Sequence, residues 1–267
     1  MNLRYRMPTV FGPSVGPRSG PGGETYDYGA AERISATVSF LTDAAPLSRL
    51  LPPGFTLDGP PVVTVEWTAL LNLQWLAGRS YNTLGVRYNA RFQGATDTAR
   101  GPFLAVLWEN RPEPILSGRE ELGFAKLYCD LPEPRIIQGH HHLTAAWDHH
   151  TFMQMELHDL ADAATPAASA SPVDGTLHYR YFPKVSAPGE ADVHEVVLTP
   201  AGGFASEVLS RQHGQGRVSF VPSTWEQLPT MYQVSQALAA LPQLEMRGAT
   251  RVHSRGAKDL SDQRVLR

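Results

Sequence analysis

One lysine stands out, because lysine is rare in this chain and its surroundings are apolar. The 267 residues include 20 arginines but only three lysines, Lys126, Lys184 and Lys258. Lys126 lies within residues 122–129, the most apolar surroundings of any charged residue in the sequence. Since arginine supplies almost every other cation, this position is expected to need an amine in particular.

An amine differs from a guanidinium because burial can make it neutral near pH 7. Desolvation lowers the pKa of a buried lysine by up to about 3–5 units, whereas arginine stays protonated. A neutral amine attacks a carbonyl carbon to form a Schiff base, and the protonated imine draws electrons from a bond that breaks at the neighbouring carbon. The alternative for Lys126 is a strand-edge lysine whose ammonium group reaches water.

The segments around this lysine have the pattern of β-strands. Residues 34–40 alternate apolar and polar side chains without a fault, and residues 85–92 alternate in the same way. Such a period of two is typical of a half-buried strand. Residues 62–73 predict a further strand that contains Glu66, and the apolar run 102–108 predicts a buried one.

Other elements are predicted to be short. A short helix is expected between a cap at Thr42 or Asp43 and its end at residues 52–54, and another at 115–122 before Gly123. A longer helix is expected after the capping box at 223–226, with Pro229 near its first turn or at a kink. Further short strands fit 126–130, 151–157, 176–182, 193–199 and 215–221, and residues 161–172 predict a surface excursion. The pattern predicts a single α+β domain over residues 1–267, rich in antiparallel strands, with an irregular arm at about 7–31.

Three segments resemble the acetoacetate decarboxylase superfamily. Residues 118–126 are similar to that family's Gly-Arg-Glu helix and its following Gly-aromatic-Pro-Lys-Lys segment. Residues 41–43 and 51–55 resemble its Arg-Thr-Asp and Leu-Pro-Pro-Gly stretches. The resemblance extends from about residue 30 to 240, and it implies an antiparallel β-rich barrel or cone with peripheral helices and a pocket closed over the lysine.

The resemblance also implies roles for individual residues. It places the family's Schiff-base lysine at Lys126, its carboxylate-binding arginine at Arg33 and its buried glutamate at Glu66. A planar guanidinium suits the carboxylate of a keto acid. From the residues alone, Arg33 also fits a surface arginine and Glu66 a strand residue that faces solvent.

Two departures from the family pattern argue against ordinary acetoacetate decarboxylation. The family's second lysine is replaced by Leu127, and its Tyr-x-Glu segment, with a catalytic glutamate, by Tyr81-Asn82-Thr83. Tyr81, Thr83 or a bound water then remain as proton carriers. Some relatives in the superfamily use the same lysine with pyruvate or larger 2-keto acids for aldol condensation, dehydration or cyclisation.

Two functions therefore remain open. One is a lyase that forms a Schiff base with a keto acid, followed by decarboxylation or by aldolase and dehydratase chemistry. The other is a non-catalytic protein that keeps the pocket and binds a small molecule. Retention of Lys126 favours the enzyme, and loss of two family catalytic residues favours the binding protein.

Composition disfavours several other classes. A net charge of −3 with mixed signs attracts neither nucleic acid nor an anionic membrane surface. One cysteine and no apparent secretory signal predict a cytoplasmic protein. The clustered histidines at 140–142 and 149–150 are expected in loops and not at a metal site, and no Gly-rich loop indicates a nucleotide, so no cofactor is expected. The family resemblance implies a homo-oligomer.

Overall fold

One large sheet dominates the computed structural model, which describes residues 4–164 and 173–267. Its strands are β1 (Glu32–Leu41), β2 (Phe55–Leu57), β3 (Val62–Leu73), β4 (Arg79–Gln93), β5 (Thr98–Glu109), β6 (Lys126–Tyr128), β7 (Arg135–Ile137), β8 (His140–Trp147), β9 (His150–Asp162), β10 (Gly175–Pro183), β11 (Ala191–Pro200), β12 (Glu207–Phe220), β13 (Glu245–Arg255) and β14 (Arg264–Leu266). The helices are α1 (Ala44–Ser48), α2 (Pro112–Glu120) and α3 (Tyr232–Ala239), with 3-10 turns at Thr9–Phe11 and Gln74–Leu76.

The sheet runs in the order β14-β11-β10-β5-β4-β3-β1-β13-β12-β9-β8-β7. Strand β2 pairs with β4, and β6 pairs with β5. Among the described strands, β5 pairs in parallel with β6 and β10, and the other pairings are antiparallel. The predicted antiparallel β-rich α+β fold class is confirmed.

Strand β4 shows how the two faces of the sheet differ. Its even-numbered side chains, Leu84, Val86, Tyr88 and Ala90, are buried in the main hydrophobic core. Its odd-numbered side chains from 81 to 87 face a pocket on the opposite side. Because side chains alternate along the strand, one face of β4 packs in the hydrophobic core and the other lines the pocket.

The helix predicted to begin at the capping box of residues 223–226 begins later than expected. Residues 225–231 form turns, and helix α3 begins only at Tyr232. Pro229 has no N–H group and disfavours helical geometry in the preceding residue, which accounts for the turns before the helix. The Ser223 hydroxyl donates to the Val221 carbonyl, and its oxygen also lies 2.9 Å from Nε2 of His150.

The histidine prediction also needs a correction, since His140, His141 and His142 lie on strand β8 and not in a loop. A carboxylate oxygen of Glu156 on β9 lies 2.7 Å from Nδ1 of His140, so this contact links β8 to β9. Among the described residues, no three histidine, cysteine or carboxylate side chains converge as metal ligands would.

The segment before β1 packs against the body of the protein. Arg18 donates to the Leu260 carbonyl and, at 2.9 Å, to Oε1 of Gln263. Residues 165–172 of the expected surface excursion lie outside the described residues, and the division of the chain into one domain stays a prediction. Every helix that the structure describes falls short of the length and apolar character needed to span a membrane.

Leu84→Ala tests the assignment of the two faces of β4. Leu84 is fully buried, so the change is expected to lower the free energy of unfolding by about 2–5 kcal/mol. Leu116→Ala, at a half-exposed position of α2, should change it by less than about 0.5 kcal/mol. Urea unfolding measures both, and equal effects would contradict the assignment.

Candidate active site

A row of paired residues crosses five neighbouring strands and defines the floor of the pocket. In register, Thr37 pairs with Glu66, Glu66 with Gly85, Gly85 with Leu107 and Leu107 with Lys126. Adjacent strands lie about 4.8 Å apart, so the backbones of Glu66 and Lys126 are separated by roughly 14 Å. Gly85 at the centre has no side chain, and the Leu104 and Leu107 side chains pack close over it.

Lys126 is 5% exposed and begins strand β6. Its Nζ donates to Oε1 of Glu109 and to the Pro114 carbonyl, both at 2.9 Å. The ammonium also lies 5.2 Å from the centre of the Phe124 ring, within the range of a cation–π contact. A lysine has three donors, so these two hydrogen bonds leave one N–H for the pocket.

Glu109 ends strand β5 and is only 1% exposed. Burial raises the pKa of its carboxyl group above the ordinary value, although the neighbouring Lys126 partly opposes the shift. Its second oxygen, Oε2, is buried and has no hydrogen-bond partner among the described residues. The site therefore holds a lysine and a carboxylate in direct contact, away from water.

Helix α2 presses directly on the lysine side chain. A Cβ placed on Gly118 would lie 2.4–2.5 Å from Cδ, Cε and Nζ of Lys126. Arg119, the next residue of the helix, donates from Nη1 to the Lys126 carbonyl at 2.9 Å. The glycine is therefore needed for space, and the helix fixes both ends of the lysine residue.

A second charged cluster surrounds Glu66. Nη2 of Arg33 and Nη2 of Arg87 each donate to one of its oxygens, the second at 3.0 Å, and Thr37 donates at 3.3 Å. Burial by itself raises the pKa of Glu66, but the two arginines and Thr37 outweigh it and hold the pKa below the ordinary value. One carboxylate thus faces two cations, and the cluster keeps a net positive charge.

Both arginines remain accessible from the pocket. The Arg33 and Arg87 side chains are 46% and 34% exposed, against 15% for Glu66. A guanidinium has five N–H donors, and the contacts with Glu66 use only part of this capacity. The cluster therefore has the charge and the free donors to hold an anion.

Tyr81 and Thr83 lie on the same face of β4 as Gly85 and Arg87. Thr83 pairs directly with Glu109 across the sheet. Burial, with the charge of Glu109 nearby, raises the pKa of Tyr81 well above its ordinary value, so its hydroxyl stays protonated. All five residues predicted for the site, Arg33, Glu66, Tyr81, Thr83 and Lys126, line one pocket; their roles stay predictions.

His178 on β10 forms part of the wall near the lysine. Its Nε2 lies 2.9 Å from Oγ1 of Thr199, and its ring packs 4.2 Å from that of Phe124. Burial, reinforced by the positive charge of Lys126, lowers the pKa of His178 to about 3. The imidazole is therefore neutral near pH 7.

The pocket holds about 370 Å³ and is lined mainly by apolar groups. Leu104 and Leu107 both reach it because a β-bulge in the pairing of β4 with β5 shifts the alternation between them. Pro17 and Tyr28 from the N-terminal segment, with the chain around Leu260, contribute to its other side. The charged groups therefore sit in a largely apolar enclosure.

Three site residues escape the sequence analysis. Glu109 ends an apolar strand, and only the parallel pairing of β5 with β6 places it beside the lysine. Arg87 belongs to the alternating segment 85–92, and alternation alone does not show that its strand face borders the pocket. His178 gives no signal beyond its position in a predicted strand.

Gly118→Ala tests whether helix α2 positions the lysine. Alanine is normally better than glycine inside a helix by roughly 0.5–1 kcal/mol, so any loss reports the collision with Lys126. We expect a lower melting temperature by differential scanning calorimetry. Leu116→Ala on the same helix serves as the control, and a melting temperature raised by Gly118→Ala would contradict the packing described.

Comparison with known proteins agrees with this architecture. A solved acetoacetate decarboxylase is 15% identical, with a TM-score of 0.68, over 93% of this chain and 94% of that one. The enduracididine biosynthesis enzyme MppR in complex with pyruvate is 15% identical, with a TM-score of 0.64, over 93% and 95% of the two chains. An acetoacetate decarboxylase-like enzyme from Sphingomonas wittichii RW1 is 18% identical, with a TM-score of 0.61, over 85% and 89%. At these identities the likeness concerns the fold.

The sequence itself carries the family assignment. No curated protein sequence is similar enough to match the chain. The family model described as acetoacetate decarboxylase (ADC), however, matches residues 6–254. Because this match spans most of the chain, the protein belongs to the acetoacetate decarboxylase family.

Proposed function

We propose that this protein is a lyase that forms a Schiff base between Lys126 and a keto acid. The observation that carries the proposal is the burial of Lys126 in a pocket, with one N–H left toward the cavity and a carboxylate in contact with its amine. An amine held away from water beside a proton acceptor has the surroundings that nucleophilic catalysis by lysine requires.

The arginine cluster supports a carboxylate-bearing substrate. Arg33 and Arg87 share a single counter-ion, Glu66, and keep donors free on the pocket side. We assign to Arg33 the contact with the substrate carboxylate, and to Glu66 the positioning of both guanidinium groups. The complex of MppR with pyruvate supports a keto acid as the substrate class.

The imine supplies the chemistry once it has formed. Attack by Nζ on the carbonyl carbon and loss of water give a protonated imine, which accepts the electron pair of a bond that breaks at the adjacent carbon. If that bond leads to a carboxylate, carbon dioxide leaves; if it leads to hydrogen, the resulting enamine attacks an aldehyde. Tyr81 and Thr83, on the floor beside Gly85, are assigned as proton carriers.

The size of the pocket favours aldolase and dehydratase chemistry over decarboxylation of a small acid. A volume of about 370 Å³ exceeds the needs of pyruvate or acetoacetate, and its lining is mainly apolar. Space for a second, apolar reactant is what a condensation requires. A non-catalytic binding protein is the competing candidate, favoured by the replacement of the family's glutamate and second lysine with Thr83 and Leu127.

Two broader predictions accompany this proposal. We expect a cytoplasmic protein, because the single cysteine, Cys129, indicates no disulfide framework. We also expect a homo-oligomer, as the family resemblance implies. Neither prediction is needed for the chemistry at Lys126.

Borohydride trapping tests the proposed imine. With pyruvate, acetoacetate and a longer 2-keto acid, we expect a reduced adduct in intact mass spectra, on the peptide that contains Lys126. Lys126→Met should abolish the adduct, because the variant lacks the amine. We expect this variant to fold, since Glu109 can be protonated when the ammonium group is absent. Lys184→Arg, at an exposed lysine, is the control and should trap as the unchanged protein does. A folded protein that traps none of the three acids would favour the binding protein.

Arg33→Gln tests carboxylate recognition. Loss of a charged hydrogen bond costs about 1.5–3 kcal/mol, so half-maximal trapping should need about 10- to 100-fold more pyruvate. Arg91→Gln on β4 removes an exposed arginine that does not line the pocket. This control should leave the pyruvate concentration for half-maximal trapping unchanged. Methyl pyruvate lacks the negative charge and should show no difference between the proteins. Equal pyruvate requirements in the two variants would refute the assignment.

A further inference from the structure

We propose that Glu109 is a catalytic residue of this site, the group that takes the proton from Lys126 before imine formation and returns it afterwards. The inference rests on the proposed function. It assigns the acid–base step to a residue of strand β5, which no family motif in the sequence marks.

The contact between the two groups is direct. Oε1 of Glu109 lies 2.9 Å from Nζ of Lys126, a distance at which a proton moves along the hydrogen bond. The other acceptor of the ammonium is the Pro114 carbonyl, and an amide oxygen cannot take the proton at neutral pH. Within the described part of the chain, Glu109 is thus the one base in contact with this amine.

Burial makes an internal base necessary. Lys126 and Glu109 are 5% and 1% exposed, so bulk water has little access to either group. Proton transfer converts a buried ion pair into a neutral amine and a neutral acid, and burial favours neutral groups. The elevated pKa of Glu109 has the direction that this transfer requires.

The unpartnered oxygen of Glu109 points to the same conclusion. Oε2 is buried without a hydrogen-bond partner among the described residues, which is costly for a carboxylate that serves only the fold. Protonation of Glu109 removes that negative charge. The surroundings of Glu109 therefore favour its protonation.

The register explains why Thr83 can stand where the family pattern has a glutamate. Thr83 and Glu109 are directly paired on β4 and β5, and side chains of paired residues lie about 5 Å apart on one face. A carboxylate on either strand reaches the same space. In this chain, Glu109 on β5 supplies the carboxylate that the family pattern places on β4.

The step balances in protons and electrons. The Lys126 ammonium gives one proton to Glu109, and the nitrogen lone pair then attacks the carbonyl carbon while the carbonyl π electrons move to oxygen. A proton passes from nitrogen to that oxygen, and Glu109 returns its own proton to the resulting hydroxyl group. Water leaves, and a protonated imine remains beside ionised Glu109.

Other titratable or charged groups near the pair do not produce its pH dependence. Tyr81 on β4 and Tyr28 of the N-terminal segment have raised pKa values, and His178 on β10 stays neutral because its pKa is about 3. Arg119 on α2 contacts the backbone carbonyl of Lys126 and not its amine. We therefore attribute a decrease in the rate of imine formation at low pH to protonation of the Lys126 and Glu109 pair.

The test compares rates of borohydride trapping with pyruvate from pH 5 to 10. The trapping rate of the unchanged protein should rise with pH and reach a plateau near neutral pH. Glu109→Gln should trap about 100-fold or more slowly at pH 7, in line with the typical size of general acid–base catalysis. Its rate should instead keep rising toward alkaline pH, where hydroxide removes the proton.

Two further variants separate catalysis from a structural role. Thr83→Glu combined with Glu109→Gln places a carboxylate opposite the original position, and should recover at least tenfold of the lost rate and the plateau. Glu156→Gln removes a largely buried carboxylate that pairs with Arg217 outside this pocket, and should leave the trapping rate unchanged.

The outcomes distinguish this inference from the proposed function. If wild type traps no keto acid, the proposed function fails. If wild type traps and folded Glu109→Gln traps within twofold with the same pH profile, the inference alone is overturned. If Glu109→Gln does not fold, Glu109→Asp decides: a plateau lowered tenfold or more supports the inference, and an unchanged rate overturns it.

Discussion

The buried contact between Lys126 and Glu109 is the constraint on which the site depends. Taking an ammonium and a carboxylate out of water costs several kcal/mol per ion, and their attraction repays this only when geometry is good. The Pro114 carbonyl and the Phe124 ring supply further contacts to the ammonium. A well-packed apolar pair often serves stability as well or better, so stability alone does not account for the two buried charges.

Much of the local architecture follows from holding this pair. The parallel pairing of β6 with β5 places Lys126 beside Glu109, and helix α2 packs against the lysine side chain at Gly118. Across the floor, Gly85 and Leu107 lie between the pair and the positive cluster around Glu66. The sheet thus carries Lys126 and the arginine cluster on one face, and its main hydrophobic core on the other.

Sequence reasoning succeeds where one local signal decides the structure. Strict alternation identifies strands such as β1 and β3, and the scarcity of lysine draws attention to Lys126. It fails where a distant partner decides. Glu109 contacts Lys126 because β5 pairs with β6, which no spacing along the chain reveals, and the helix expected at the capping box of 223–226 begins only at Tyr232.

Carbon-13 NMR of protein labelled at the lysine ε-carbon can detect the imine at Lys126, because the chain contains only three lysines. Lys126→Met assigns the Lys126 resonance by its loss. On addition of pyruvate, we expect this resonance alone to move to the position of an ε-carbon bonded to an imine nitrogen, while those of Lys184 and Lys258 stay in place. An unchanged Lys126 resonance at saturating pyruvate, or imine formation at Lys258 instead, would refute imine formation at Lys126.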